Sequence, residues 1–400
     1  MTMSRTHSFA RTAVLVTALA AVAVPTVLPA QFFKRDTYGR IPRRHVLPFV
    51  GMAVAGAASS IVFISKPRSL STLCQNPTCI LGASLTAGAF VGWLVGREKD
   101  MLHDLRYRGG RPLYATASSV ALAGEPVALS VDRDVAVSGG LGGVSVVLGG
   151  PRLQQAGVRA AALRGINDVA LSVTDSLLGI VAGGGFYRFP LLAGQGTLLR
   201  GGPPATAVVL SPRDFIVATG SRVERVPRST TDPAAGFPGA DVSDTVRALR
   251  VDSRGVTWAV TNTSLIALET VGDSLRVASE SPLPRGARRL SIDGMRLAVA
   301  AGDSGVVFFD ISSPARPTIQ QRWTETRFAY DIALTPTRAF IAAGIDGVSV
   351  LAIDGRELRF QGLARELGFI VSIAVEGNDL WVLDRSGTAA LRKTRTDIDK

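Results

Sequence analysis

One short pattern recurs seven times between residues 112 and 400, and it restricts the chain to few folds. Each unit has an alternating apolar run, a polar turn, a second apolar run, a turn of small residues and a further strand. The second runs read Val135-Ala136-Val137, Gly179-Ile180-Val181, Ile216-Val217-Ala218, Trp258-Ala259-Val260, Leu297-Ala298-Val299, Phe340-Ile341-Ala342 and Trp381-Val382-Leu383. Markers at 137, 181, 217, 260, 299, 342 and 383 lie 44, 36, 43, 39, 43 and 41 residues apart. A period of roughly forty residues, with three or four short strands per unit and no helix-length segment between them, predicts propeller blades rather than a helical solenoid. The expected fold is an all-β seven-bladed propeller over 112–400. A strand near Leu113 to Val120 is expected to help close the ring, because the two ends of a propeller must meet and hide their edges.

The sixth unit shows the pattern most plainly. Asp331-Ile332-Ala333-Leu334-Thr335 alternates, Pro336 and Thr337 turn the chain, and Ala339-Phe340-Ile341-Ala342-Ala343 follows. Gly344-Ile345-Asp346-Gly347 then turns into Val348-Ser349-Val350-Leu351-Ala352-Ile353. Gly and Asp between period-2 runs are hairpin signals because they reach positive φ at low cost. In the fifth unit, Gly305-Val306-Val307-Phe308-Phe309-Asp310-Ile311-Ser312-Ser313-Pro314-Ala315-Arg316-Pro317 resembles the LVIVD repeat of bacterial surface and exported propellers. The match is sharp over this copy only, with a weaker echo at Val350-Leu351-Ala352-Ile353-Asp354-Gly355. The resemblance implies a scaffold or binding role, with Asp310 and Ser312 capping a turn through backbone amides. Between Arg225 and Thr245 the chain is rich in Pro, Ser, Thr and Gly and reads as a long loop leaving blade three.

The first 111 residues are built differently. Arg5 and Arg11 precede an apolar run from Thr12 to Leu28, then Pro29-Ala30-Gln31, the pattern of an export signal over 1–30. A basic segment, 31–45, follows. Two uncharged apolar runs, Val46 to Ser65 and Ile80 to Gly96, each approach the length that crosses a bilayer as helix, and together they predict an α-helical transmembrane hairpin over 46–96. Gly51, Ala55 and Ser59 in the first, and Ser84, Gly88 and Gly92 in the second, recur at four-residue spacing. Such small-residue stripes let helices approach closely in lipid. Cys74 and Cys79 sit in the loop between the runs, where they can close a small disulfide or remain as two thiols.

Charge is unevenly distributed. Residues 1–111 carry 14 Lys and Arg against 4 acidic residues, and the remaining 289 carry 30 against 28. The excess flanks the apolar runs, with Arg43 and Arg44 before them and Arg97 and Lys99 after, opening a basic linker, 97–111. These positions suit anionic lipid headgroups. The repeats show no basic stripe with interleaved aromatics, so nucleic acid is not an expected partner. The topological signals conflict. Positive charge outside both ends of the hairpin favours a cytoplasmic propeller, whereas a cleaved export signal places it on the periplasmic or extracellular side of a bacterial membrane. The export reading is preferred.

His7, His45 and His103 all precede the repeats, so nucleophile–His chemistry and His-ligated metal are excluded within them. Asp132, Asp134, Asp168, Asp331 and Asp346 read as turn and strand-start caps rather than as catalysts. No cofactor, metal or small-molecule substrate is expected. The leading function is a non-enzymatic, membrane-anchored accessory or scaffold subunit of a larger membrane complex, with Arg228, Asp232 and Phe237 as candidate partner contacts and membrane protein subunits as partners. The alternatives are an exported carbohydrate- or cell-wall-binding propeller, and a hydrolase or lyase using acidic residues at the channel. The apolar runs generate the first test. Alkaline carbonate extraction should leave the full-length chain in the membrane pellet, and its release into the supernatant would end the transmembrane reading.

Overall fold

The computed structural model describes residues 113–397 except 115–117, 123, 164, 192–194 and 231–235. Before these it describes only Val50, Leu85, Thr86, residues 89–91, Leu94 and Val95, all helical. The chain divides after Arg111 into two units. Among the described residues no helix is long and apolar enough to cross a membrane. Most of the expected hairpin lies outside those residues.

From residue 118 the chain forms seven antiparallel four-stranded sheets. Blades one to six run 126–159, 166–201, 205–241, 248–282, 289–323 and 331–364. The seventh takes its three inner strands from Ile370–Glu376, Asp379–Asp384 and Ala390–Arg395, and its outermost from Ser118–Ala121. Ser118–Ala121 pairs antiparallel with Ala390–Arg395, from Ser118 opposite Lys393 to Ala121 opposite Ala390. The two ends of the propeller segment therefore share one sheet. The innermost strands contact their neighbours in sequence and return from blade seven to blade one, closing the ring.

All seven predicted second runs are the second strands of their blades. Each is apolar without interruption because both faces of the sheet are covered. Leu297 and Val299 pack with blade four, whereas Ala298 and Ala300 pack with blade six. Seven such apolar layers, one per interface, make up the core. Gly179 shows how close the blades approach: a Cβ there would lie 2.8 Å from the ring of Phe215 in blade three.

The innermost strands expose backbone amides toward the next blade with no strand to pair them. Leaving such groups unbonded is costly. Side chains of the preceding blade accept them instead. Ser130 Oγ takes the N–H of Leu171, and Asp132 takes that of Val173 at 2.7 Å. Asp168 takes Val208, Ser291 takes Leu334, and Asp331 takes Ile373. Glu376 takes the amides of Arg133 and Asp134, a two-residue turn with both φ positive, and so ties blade seven to blade one. On the face carrying the first and third turns of each blade, arginines donate to carbonyls of the following blade. Arg188 reaches Arg228, Arg225 reaches Gly272, Arg254 reaches Ile311 and Ser312, Arg296 reaches Gly355, and Arg338 reaches Thr396.

Two details refine the sequence reading. Asp310 Oδ1 accepts the Ser312 amide at 2.9 Å, the cap expected at the Asp-Ile-Ser turn. The Arg225–Thr245 segment is not one long loop. Arg222–Pro227 is the third strand of blade three, and Gly239–Asp241 is its outer strand. Gly239 sits where a Cβ would come within 2.2 Å of the Val223 carbonyl oxygen, so close pairing there needs a glycine.

Ring closure through shared terminal strands makes a test. A chain ending at Arg392 loses Lys393, which bonds Asp134 of blade one and Asp379. It also loses half of the strand that holds Ser118–Ala121. Its calorimetric melt should shift down as one transition for the whole ring. A separate early transition, with the remainder melting at the original temperature, would show that closure is local.

Candidate functional site

The channel is lined by the innermost strands. At one level the seven blades place Ala128, Asp168, Ala207, Ala248, Arg289, Asp331 and Ser372. Arg289 of blade five reaches Asp168 of blade two, Nη1 to Oδ1 at 3.1 Å, and its Nη2 donates to the Asn167 carbonyl. Blades two and five are not neighbours, so this contact spans the channel. Burial works against the Arg289 charge, but Asp168 and Asp331 outweigh it and hold its pKa above the ordinary value. Asp331 accepts from Ser372 Oγ at 2.6 Å and from the amides of Ile332 and Ile373. Burial still dominates and raises the Asp331 pKa, and Arg289, Ser372 and Arg250 offset only part of it. Both carboxylates at this level are thus bonded to protein on each oxygen.

At the mouth the chemistry differs. The residues entering blades four, five and six occupy equivalent positions: the amides of Arg247, Arg288 and Tyr330 donate to Val260, Ala300 and Ala342. The Arg288 guanidinium lies 4.9 Å from the centre of the Phe328 ring and 5.8 Å from that of Tyr330. Phe328 and Tyr330 pack at 4.5 Å, and Phe369 of blade seven meets Tyr330 edge-on at 5.8 Å. Glycines make room for these rings. A Cβ on Gly344 would lie 2.8 Å from Tyr330, and one on Gly302 would lie 3.3 Å from Phe328. Both adopt positive φ, and each bridges to the next blade, Gly302 with Ala329 and Gly344 with Ile370.

Among the described residues Arg288 has no carboxylate partner, and its Nε is buried without a hydrogen bond. A buried unpaired donor costs about 1–3 kcal/mol, while stacking a guanidinium on aromatic faces returns about 0.5–2 kcal/mol. Burial first, and then repulsion from Arg247, holds its pKa below the ordinary value. The site is a planar cation on an aromatic floor, with its positive charge unneutralised.

The residues singled out from sequence fall as follows. Phe237 is 6% exposed and belongs to the core between blades two and three, so its ring is structural rather than a surface contact. Arg228 pairs with Asp175 and donates to the Ser211 carbonyl, which fixes it within the ring. Asp232 lies outside the described residues, as do Cys74, Cys79, Gly51, Ala55, Ser59, Ser84, Gly88, Gly92, Arg43, Arg44, Arg97 and Lys99. Asp134 pairs with Lys393, and Asp346 with Arg365. Trp258 and Trp381 are fully buried and Trp323 nearly so, and Trp258 Nε1 donates to Asp252. Among the described residues no three His, Cys, Asp or Glu are grouped to hold a metal. The Arg247–Arg288–Tyr330 arc escaped the sequence reading. Aligning the repeats on Ala248-Leu249, Arg289-Leu290 and Asp331-Ile332 would have placed these three residues in one column.

No protein-family model and no curated protein matches the chain. Solved structures do. The chain is similar to a crystal structure of the mitotic checkpoint complex at 11% identity and TM-score 0.57, covering 72% of this chain and 96% of that one. It is similar to the WD40 β-propeller domain of Doa1 at 14% identity and TM-score 0.56, covering 70% and 96%. It is also similar to the computationally designed Ika8 protein at 15% and 0.52, covering 70% and 86%. At these identities the likeness establishes the propeller fold alone.

The raised pKa of Asp331 predicts a pH signature. Its contribution to stability is fully present below the unfolded value of 3.8 and is lost as pH rises through the higher folded value. Denaturation of wild type and Asp331→Asn across pH 3.5 to 7 should therefore show the wild type losing ground as pH rises. A difference that stays flat, or that moves the other way, would mean the carboxyl ionises as in the unfolded chain.

Proposed function

We propose that the chain is a non-enzymatic, membrane-anchored propeller that serves as an accessory or scaffold subunit of a larger membrane protein complex. One observation carries this reading: Asp168 and Asp331, the carboxylates at the level of Arg289 in the channel, are spent on bonding neighbouring blades and the Arg289 side chain that crosses the channel. A general acid or base needs a free position within reach of substrate. The uncompensated chemistry lies instead on an outward-facing mouth, where a partner can reach it.

The anchor reading rests on the two apolar runs. The described helical residues of the second run leave Phe90, Val91, Leu94 and Val95 exposed, an apolar stripe suited to lipid or to another subunit's helix. The resemblance to LVIVD repeats supports a bacterial, exported propeller on the periplasmic or extracellular side, and the positive flanks support the cytoplasmic alternative. A carbohydrate-binding role draws less support, since two of the three propeller tryptophans are sealed in the core and the third nearly so.

Two measurements test this. After extraction in mild detergent, native size analysis should show co-migration with specific membrane proteins. A monomer that turns over a substrate or binds glycans would defeat the proposal. Protease added to spheroplasts should digest the propeller from outside, and protection would move it to the cytoplasmic side.

A further inference from the structure

The Arg288 platform deepens the scaffold reading and rests on it. We infer that the channel mouth between blades four and six docks a carboxylate carried by an acidic segment of a partner protein, with Arg288 as its main contact and Arg247 as its second.

Four features converge. The Arg288 guanidinium lies over the Phe328 and Tyr330 rings, which restricts its freedom before any ligand arrives. A preoriented planar fork matches a planar carboxylate and loses little freedom on binding. It has no acidic partner among the described residues, unlike Arg225, Arg254 and Arg392, each of which is paired with a buried or nearly buried aspartate. The surrounding loops add cations: Arg247 and Arg285 are exposed, and Arg327 is 73% exposed. Two of the acids nearby neutralise this patch only in part. Asp346 is engaged by Arg365 and Arg327, and the pull of Asp303 on Arg288 is weaker than burial and Arg247 combined. A second positive charge beside an unpaired, half-buried arginine raises the energy of the free site, and an arriving carboxylate relieves both the repulsion and the missing hydrogen bonds. The aromatic floor adds apolar area for side chains flanking the acidic one, which a bare ion would leave uncovered.

The test uses the full-length chain in detergent and a fluorescein-labelled hexaglutamate peptide followed by anisotropy. Wild type should bind saturably and more weakly as salt is raised. Arg288→Gln should weaken binding by about tenfold, equivalent to about 1.4 kcal/mol, and Arg247→Gln by less. Arg288→Lys keeps the charge but not the fork, and it should fall between wild type and Arg288→Gln. Arg322→Gln, on the outer strand of blade five, should bind as wild type does. Should Arg288→Gln unfold, the Lys variant and Arg247→Gln still decide the matter. Equal binding by wild type and Arg288→Lys together with Arg247→Gln would overturn the assignment. So would displacement of the peptide by inorganic phosphate at matched ionic strength, which would mark a site for free anions. Loss of peptide binding in Arg288→Gln while the native complex still co-migrates would also overturn it, yet leave the scaffold reading standing. Absence of any co-migrating partner would remove the scaffold reading and leave peptide binding measurable.

Discussion

Each innermost strand of this ring has one edge that no strand can pair, and the polar groups along that edge decide how the blades hold together. Apolar layers supply most of the attraction between blades, but they are non-directional. Direction comes from the side chains that cap the free amides. Ser130, Asp132, Asp168, Ser291, Asp331 and Glu376 all reach from one blade to the next in the same sense. The arginines at the face of the first and third turns run the same way, from Arg188 through Arg338. Such a head-to-tail interface is unlike its mirror, so it grows in one direction until it meets its own start. Glu376 and the pairing of Ser118–Ala121 with Ala390–Arg395 make that meeting.

That use of polar groups shapes what the interior can do. Carboxylates on a channel wall are the usual raw material for hydrolysis, and here Asp168 and Asp331 stand at the same level of the channel. Both are consumed by amides, Ser372 and Arg289. Freeing either would leave Arg289 or an amide unpaired in a poorly solvated place. Chemistry that serves closure competes with turnover, and the proposed function rests for that reason on the rims rather than the channel.

The parts of the fold legible in the sequence are those whose burial is most complete. Second strands such as Leu297-Ala298-Val299 are covered on both faces, so their apolar runs are unbroken and the period can be counted from them. Outer strands are another matter. Gln154–Arg159 and Thr318–Trp323 are largely exposed and polar, and nothing in their composition separates them from loops. In blade three the outer strand shrinks to Gly239–Asp241 after a Pro- and Thr-rich stretch, and a loop was the natural reading. Phe237 was misplaced for the same reason. An aromatic in a stretch read as loop looks like a contact, whereas here it fills the core between blades two and three. Arg288 was missed because its meaning lies in what it lacks, a partner, and sequence spacing does not report an absent ion pair.

A ring of near-equivalent blades has no preferred site until some column of the repeat departs from its neighbours. The column that enters the innermost strand holds Val127, Asn167, Thr206 and Val371 in four blades, and Arg247, Arg288 and Tyr330 in the other three. The departures are adjacent in the ring rather than scattered, so their charges and rings reinforce one another at one part of the mouth. A column departure can also serve the ring itself, as Arg289 does one residue further on by reaching Asp168. The two cases separate by partners. Arg289 ends on a carboxylate and a carbonyl inside the protein, whereas Arg288 ends on two aromatic faces with its charge unmet. The first arrangement is complete within the folded chain. The second leaves a cation that an arriving anion would pair, and the proposed docking of a partner's carboxylate rests on it.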